Sequence, residues 1–205
     1  MSGLETPYPG YDVLAKWDSP SWNEQTRRAV GKRLDEVPGR CFFSPAEWDL
    51  LESVVDRLVP QPERERAVPI VPWIDAMLAG EGPLDFRYAD MPPARQAWRR
   101  GLAAIDAEAR QRHGNGFGEL GDDDKDRLLA AIEEGEVEAP EWDDLPARSF
   151  FRQILLKQVV GIYYAHPAAW SEIGFGGPAS PRGYVRLGFD ERDPWEAEEV
   201  RTPGA

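Results

Sequence analysis

An all-α fold is what this sequence predicts: an irregular helical domain of about five to six helices, with extended, aromatic-containing arms at its N- and C-terminal ends. Three observations carry the expectation. Apolar residues recur at helical spacing in the long segments, and no segment sustains the alternation of a strand. Serine caps and glycine stops bracket those segments. No internal period appears that would mark a repeat array. The 205 residues suit one domain around one core, divided here as an arm over 1–20, a helical domain over 21–165 and a docking arm with tail over 166–205.

Residues 1–20 are turn-rich through Pro7, Pro9, Gly10 and Pro20, with Tyr8, Tyr11 and Trp17 as anchors. Ser21 and Glu24 have capping-box spacing, which predicts a helix from Trp22 to about Leu34, before Pro38. A second box is clearer: Ser44, Pro45 and Glu47 open a helix whose Trp48, Leu51, Val55 and Leu58 share a face as far as Pro60. After the polar linker PERERAVP, VPWIDAMLAG predicts a short helix closed by Gly80, and GPLDFRYADMPP a loop. From Pro93, a stripe of Ala94, Ala97, Trp98, Leu102, Ile105 and Ala109 predicts a helix ending at Gly114. Asp122, Asp123 and Asp124 suit the positive end of the next helix macrodipole, and Gly135 ends that helix. The most apolar helix follows, through Phe150, Phe151, Ile154, Leu155, Val159 and Ile162, and it is expected to be central. Pro167 disfavours helical geometry at His166, so the helix should stop near Ala165.

Composition narrows the function. A formal net charge of -13 repels a phosphate backbone, which excludes nucleic acid as a partner. One cysteine rules out an intrachain disulfide and any multi-thiolate metal site; Cys41, beside Phe42 and Phe43, is expected to be a small buried hydrophobe. No apolar run of about 18 residues exists to span a bilayer. The N-terminal segment lacks the basic-then-apolar layout of a secretory signal, and Lys32, Arg33, Asp35 and Glu36 follow the Arg27–Arg28 pair, so a cytoplasmic location is expected.

Candidates for chemistry have structural explanations. His113 meets the negative end of a helix dipole, and His166 is read as a capping or hydrogen-bonding residue. Ser171 and Glu172 stand near His166 without a nucleophile elbow. The glycines of GNGFGEL and GFGGP follow no predicted strand and lack phosphate-loop spacing. The Asp122–Asp124 run lacks the spaced ligands of a calcium loop.

The C-terminal arm is the unusual part. Residues 166–195 mix Gly and Pro with Trp170, Ile173, Phe175, Tyr184, Val185, Leu187 and Trp195. Such a segment gains order only by burying its rings, at roughly 1.5 to 3 kcal/mol for each large side chain. The shelter is either the protein's own helices or the surface of a partner.

The segments FFSPAEWDLLESVVDRLVPQP, AWRRGLAAIDAEARQRHG, YYAHPAAWSEIGFGGPASPRGYV and DPWEA together resemble the gluconate 2-dehydrogenase subunit 3 family, over about Trp22 to Trp195. These are small subunits of membrane-associated or periplasmic flavoprotein dehydrogenases. The resemblance implies a helical escort. It would bind a large FAD-dependent subunit of the glucose-methanol-choline type and support its folding, flavin loading or export, with a cytochrome c subunit often taking the electrons onward. Flavin and catalytic residues then belong to the large subunit, and this chain has neither a dinucleotide fingerprint nor a haem-attachment motif. Family members commonly carry a twin-arginine signal that is not seen here; co-export with the partner into the periplasm is the alternative to the cytoplasm. The arm and the resemblance together nominate Tyr163, Tyr164, His166, Trp170, Phe175, Tyr184 and Arg186 for docking, the rings by packing and His166 and Arg186 by hydrogen bonds to the partner. Two rivals stand beside this: a stand-alone enzyme using His166 with a carboxylate such as Glu172, and a self-contained helical domain whose arm folds back on itself.

Overall fold

A computed structural model describes residues 6–61, 66–80, 88–178 and 196–200. Among them the chain is helical, without a strand, as expected. The helices are α1 (Glu24–Asp35), α2 (Pro45–Leu58), α3 (Ile70–Ala79), α4 (Ala94–His113), α5 (Asp122–Glu134), α6 (Ala147–Ser149) and α7 (Lys157–Ala165). Short 3-10 turns lie at Val13–Lys16, Phe117–Glu119, Pro140–Trp142 and Pro167–Ile173.

Most helix ends follow from local chemistry. Ser44 Oγ accepts the Glu47 N–H while Glu47 returns a bond to the Ser44 N–H, so the box at α2 is complete. Helices α4 and α5 stop at Gly114 and Gly135, both left-handed. α1 departs from expectation. Its cap is Asn23, whose Oδ1 accepts the Thr26 N–H at 2.8 Å, and the helix starts two residues later than the Ser21 spacing suggests. Ser21 is instead held in the preceding turn by Ser19 Oγ, and Asn caps as well as Ser does. The segment expected as one long apolar helix is interrupted: between α6 and α7, Phe150–Leu156 is π-helical. Phe150 and Leu155, five residues apart, are both fully buried. The Phe150 ring lies over Gly101 so closely that a Cβ built there would stand 2.1 Å from it.

The chain divides into two compact units, where one core was expected. The terminal unit draws on Met1–Val37, Glu63–Val68 and Tyr163–Ala205; the central unit on Pro38–Pro62 and Pro69–Ile162. The described parts of both expected arms, residues 6–20 and 166–178, thus fall in the same unit as α1.

In the central unit a string of rings, Phe42, Phe43, Trp98, Phe150 and Trp142, meets mostly edge to face at centroid spacings of 4.9 to 6.3 Å. Two fully buried carboxylates fasten its loops. Asp75 accepts the successive N–H groups of Cys41, Phe42 and Phe43, at 2.5, 3.0 and 2.7 Å. Glu108 accepts those of Glu138 and Ala139 and the Arg112 Nε–H. Each carboxylate satisfies backbone donors that no helix could pair. This arrangement corrects the expectation for Cys41. Its N–H is tied inward to Asp75, and the residue is exposed, its thiol directed to the Gly39 carbonyl at 3.4 Å.

Candidate docking surface in the terminal unit

Pro167 ends α7 at Ala165 as its sequence position predicts, and the chain turns through His166 into the Pro167–Ile173 turn. His166 caps that turn: its Nδ1 accepts the Ala168 N–H at 3.2 Å, and its Nε2 donates to the Arg33 carbonyl at 3.0 Å. The pair of bonds selects the neutral Nε2–H tautomer. This is the capping role expected of it. Tyr163 donates its hydroxyl to the Glu172 carboxylate at 2.9 Å, Ser171 Oγ accepts the Val13 N–H, and Thr6 Oγ1 donates to the Glu172 carbonyl at 2.7 Å. The residues that the enzyme reading would recruit, His166, Ser171 and Glu172, therefore join the chain's own ends.

The apolar part of the unit is small and aromatic. Val13, Trp22, Val30 and Trp170 form its buried centre, with Tyr11, Leu14, Trp17 and Leu34 packed around them. Lys16 lies over the Trp22 ring at 5.4 Å and donates its ammonium to the Gly176 carbonyl. An open cleft of about 400 Å³ is lined by Tyr11, Asp12, Lys16, Ser19 and Glu196. Burial raises the Tyr11 phenol above its ordinary range, and the nearby charges of Asp12 and Glu196 push it the same way.

The nominated docking residues separate into three groups. Tyr163, His166 and Trp170 are buried within the unit, Trp170 to 4 % exposure, so their surface is already spent on the chain itself. Tyr164 and Phe175 are 37 % and 39 % exposed, and Ile173 is exposed as well. Tyr184 and Arg186 lie outside the described residues. Each exposed ring is braced by a buried one: Tyr164 stands edge-on to Tyr163 at 4.9 Å, and Phe175 edge-on to Trp170 at 5.2 Å. Bracing of this kind limits the rotamers a ring must lose on binding, which is the condition for an efficient contact. The rings that the arm buries against, Tyr8 and Trp22, went unnamed as partners because nothing local in the sequence joins residues so far apart.

Elsewhere, His113 ends α4 at the exposed C-terminus of that helix. Among the described residues no group of three His, Cys, Asp or Glu side chains gathers as a metal site, and no helix is long and apolar enough to cross a membrane.

The described residues form a helical protein in which two part-exposed rings, Tyr164 and Phe175, each stand against a buried one. The model of the gluconate 2-dehydrogenase subunit 3 family matches residues 45–177, more than half of the chain, and the chain belongs to that family. The matched span runs from the start of α2 through the Pro167–Ile173 turn and leaves out the Val13–Lys16 turn and α1. No curated protein and no solved structure matches the chain.

Proposed function

We propose that the chain is a non-catalytic small subunit that binds, stabilises and assists the maturation of a large FAD-dependent sugar or alcohol dehydrogenase subunit of the glucose-methanol-choline type. Family membership carries this reading, since the family is named for one subunit of a dehydrogenase and so implies a companion. The part-exposed rings Tyr164 and Phe175, each standing against a buried ring, are suited to contact with that companion. In this reading the flavin and the reacting groups belong to the large subunit. A cytochrome c subunit would be its electron acceptor, and the complex would work in the cytoplasm unless the partner carries it out.

The test is affinity capture with the tagged full chain from its native host, followed by identification of the bound polypeptide and its flavin absorbance. A flavin-bearing dehydrogenase subunit is expected. Replacing Tyr164 and Phe175 together by Ala should weaken that capture by about 2 kcal/mol or more while the helical signal stays intact. Capture without a flavoprotein would sink the reading, and substrate conversion by the isolated chain would sink it in favour of the enzyme alternative.

A further inference from the structure

The terminal unit brings together, among its three stretches, two that lie far apart in sequence, and one of them is shaped around the other. Gly174 and Gly177 both have positive φ, +63° and +72°. A Cβ on Gly174 would stand 2.6 Å from the Tyr8 ring, and one on Gly177 would stand 2.7 Å from the Trp22 ring. Each glycine is thus a notch twice over, in backbone conformation and in the space it leaves, and each notch holds a ring from the N-terminal segment. The Trp22 Nε1–H is buried without an acceptor, so shape and not a hydrogen bond places this ring. Most polar contacts run the same way: Thr6, Lys16 and Arg33 donate to the carbonyls of Glu172, Gly176 and Ala165, and the Val13 N–H donates to Ser171 Oγ, while His166 Nε2 donates back to the Arg33 carbonyl. The notched stretch lies inside the family-matched region, while the segment filling it lies outside.

From this geometry we propose that residues 163–177 are a receptor for an aromatic-anchored segment, and that the chain's own residues 6–37 fill it in cis, holding Trp170 and Tyr163 buried and setting Phe175 and Tyr164 in position. The consequence for docking rests on the function proposed above; the pairing itself does not. Residues 6–37 are the occupant because two rings and four donors of that one segment, Thr6, Val13, Lys16 and Arg33, meet this stretch at once. A second copy of the chain, exchanging the same segment, is the competing arrangement.

The experiment uses the full chain with a specific protease site inserted after Gly39, which is exposed and has open space where a Cβ would stand. After cutting the folded protein, the N-terminal fragment should co-elute with the remainder at the mass of one uncut chain. A labelled peptide of residues 6–37 should exchange into the cut protein. Its Trp22→Ala and Tyr8→Ala forms should compete at least about tenfold more weakly, while an Arg28→Ala form, altered only in an exposed ion pair, competes as the parent does. The pairing is overturned if the fragment separates while amides of residues 163–177 keep their protection, or if the Trp22→Ala peptide competes equally. Elution at twice the mass overturns occupancy in cis. Capture of the flavin subunit should fall about tenfold once the fragment is stripped away; undiminished capture overturns the positioning role. If the uncut chain captures no flavoprotein, the proposed function fails, and the exchange result still decides the pairing.

Discussion

The two units solve the same problem by opposite means. The central unit ties loops that are 30 to 34 residues from their anchors, and it does so with acidic side chains: Asp75 and Glu108 sit at full burial and take runs of backbone N–H groups. The terminal unit joins segments separated by 132 to 166 residues with rings, glycine notches and bonds to carbonyl groups. A buried carboxylate is directional and intolerant, since removing it strands every donor it served. A ring in a notch is held by contact area, which can be given by one chain to itself or to another. The difference teaches that the central unit is a fixed scaffold, whereas the terminal unit is built with the means of an interface.

Substitutions at four sites, Trp22, Asp75, Gly101 and Arg57, break or sharpen this contrast, from the largest expected effect downward. Trp22→Ala should cost about 4 kcal/mol through the cavity it leaves, and the loss should be local. Hydrogen exchange is the measurement: amides of 163–173 should lose protection while those around Leu102 and Ile105 keep theirs, and an equal loss in both units would show that the units do not fold separately. Asp75→Ala should cost about 3 kcal/mol by stranding the donors of Cys41, Phe42 and Phe43. Asp75→Asn should recover only part of this in urea denaturation, because its amide group turns a donor toward donors. Gly101→Ala should cost about 2 kcal/mol by pushing Phe150 out of place. Combining it with Phe150→Leu should return part of that loss, and strict additivity would sink the steric account.

The smallest effect concerns pH. Arg57 donates to both oxygens of Asp126, at 2.7 and 2.6 Å, and this hydrogen bonding holds the Asp126 carboxyl below the ordinary carboxylate range. The folded-state pKa is the lower one, so the stabilisation is fully present above the unfolded value of about 4 and is lost as pH falls through the folded value. Arg57→Gln should remove this contribution, lowering stability slightly at neutral pH, leaving it unchanged well below the folded value and so flattening the acid limb; the effect is small because the pair is open to solvent. A large change at pH 7 would contradict this.

How far the sequence could be read depended on the distance over which each feature acts. The Ser44 box, the glycine stops of α4 and α5 and the break at Pro167 were legible because each is settled within a few residues by capping or sterics. Asn23 caps α1 in place of Ser21, a cap of equal quality, and the Ser21 backbone N–H is held in the preceding turn by Ser19 Oγ. The π-helical stretch was hidden, since only the contact of Phe150 with Gly101 on another helix shows what it accommodates. Cys41 was misread for a similar reason: its apolar neighbours suggested burial, but Asp75, far along the chain, turns it outward.

The docking residues show the same limit most sharply. Aromatic density alone identified the stretch around Trp170, because rings in so glycine-rich a segment must find shelter somewhere. Which rings are sheltered and which face outward could not be read, since Trp170 is buried by Val13, Trp22 and Val30, and Phe175 is left standing against it. Helix content, caps and stops are set by hydrogen bonds between near neighbours, and they were written in the chain. The closure of its two ends on each other was decided only when distant surfaces met, because complementarity of shape has no signature in local sequence.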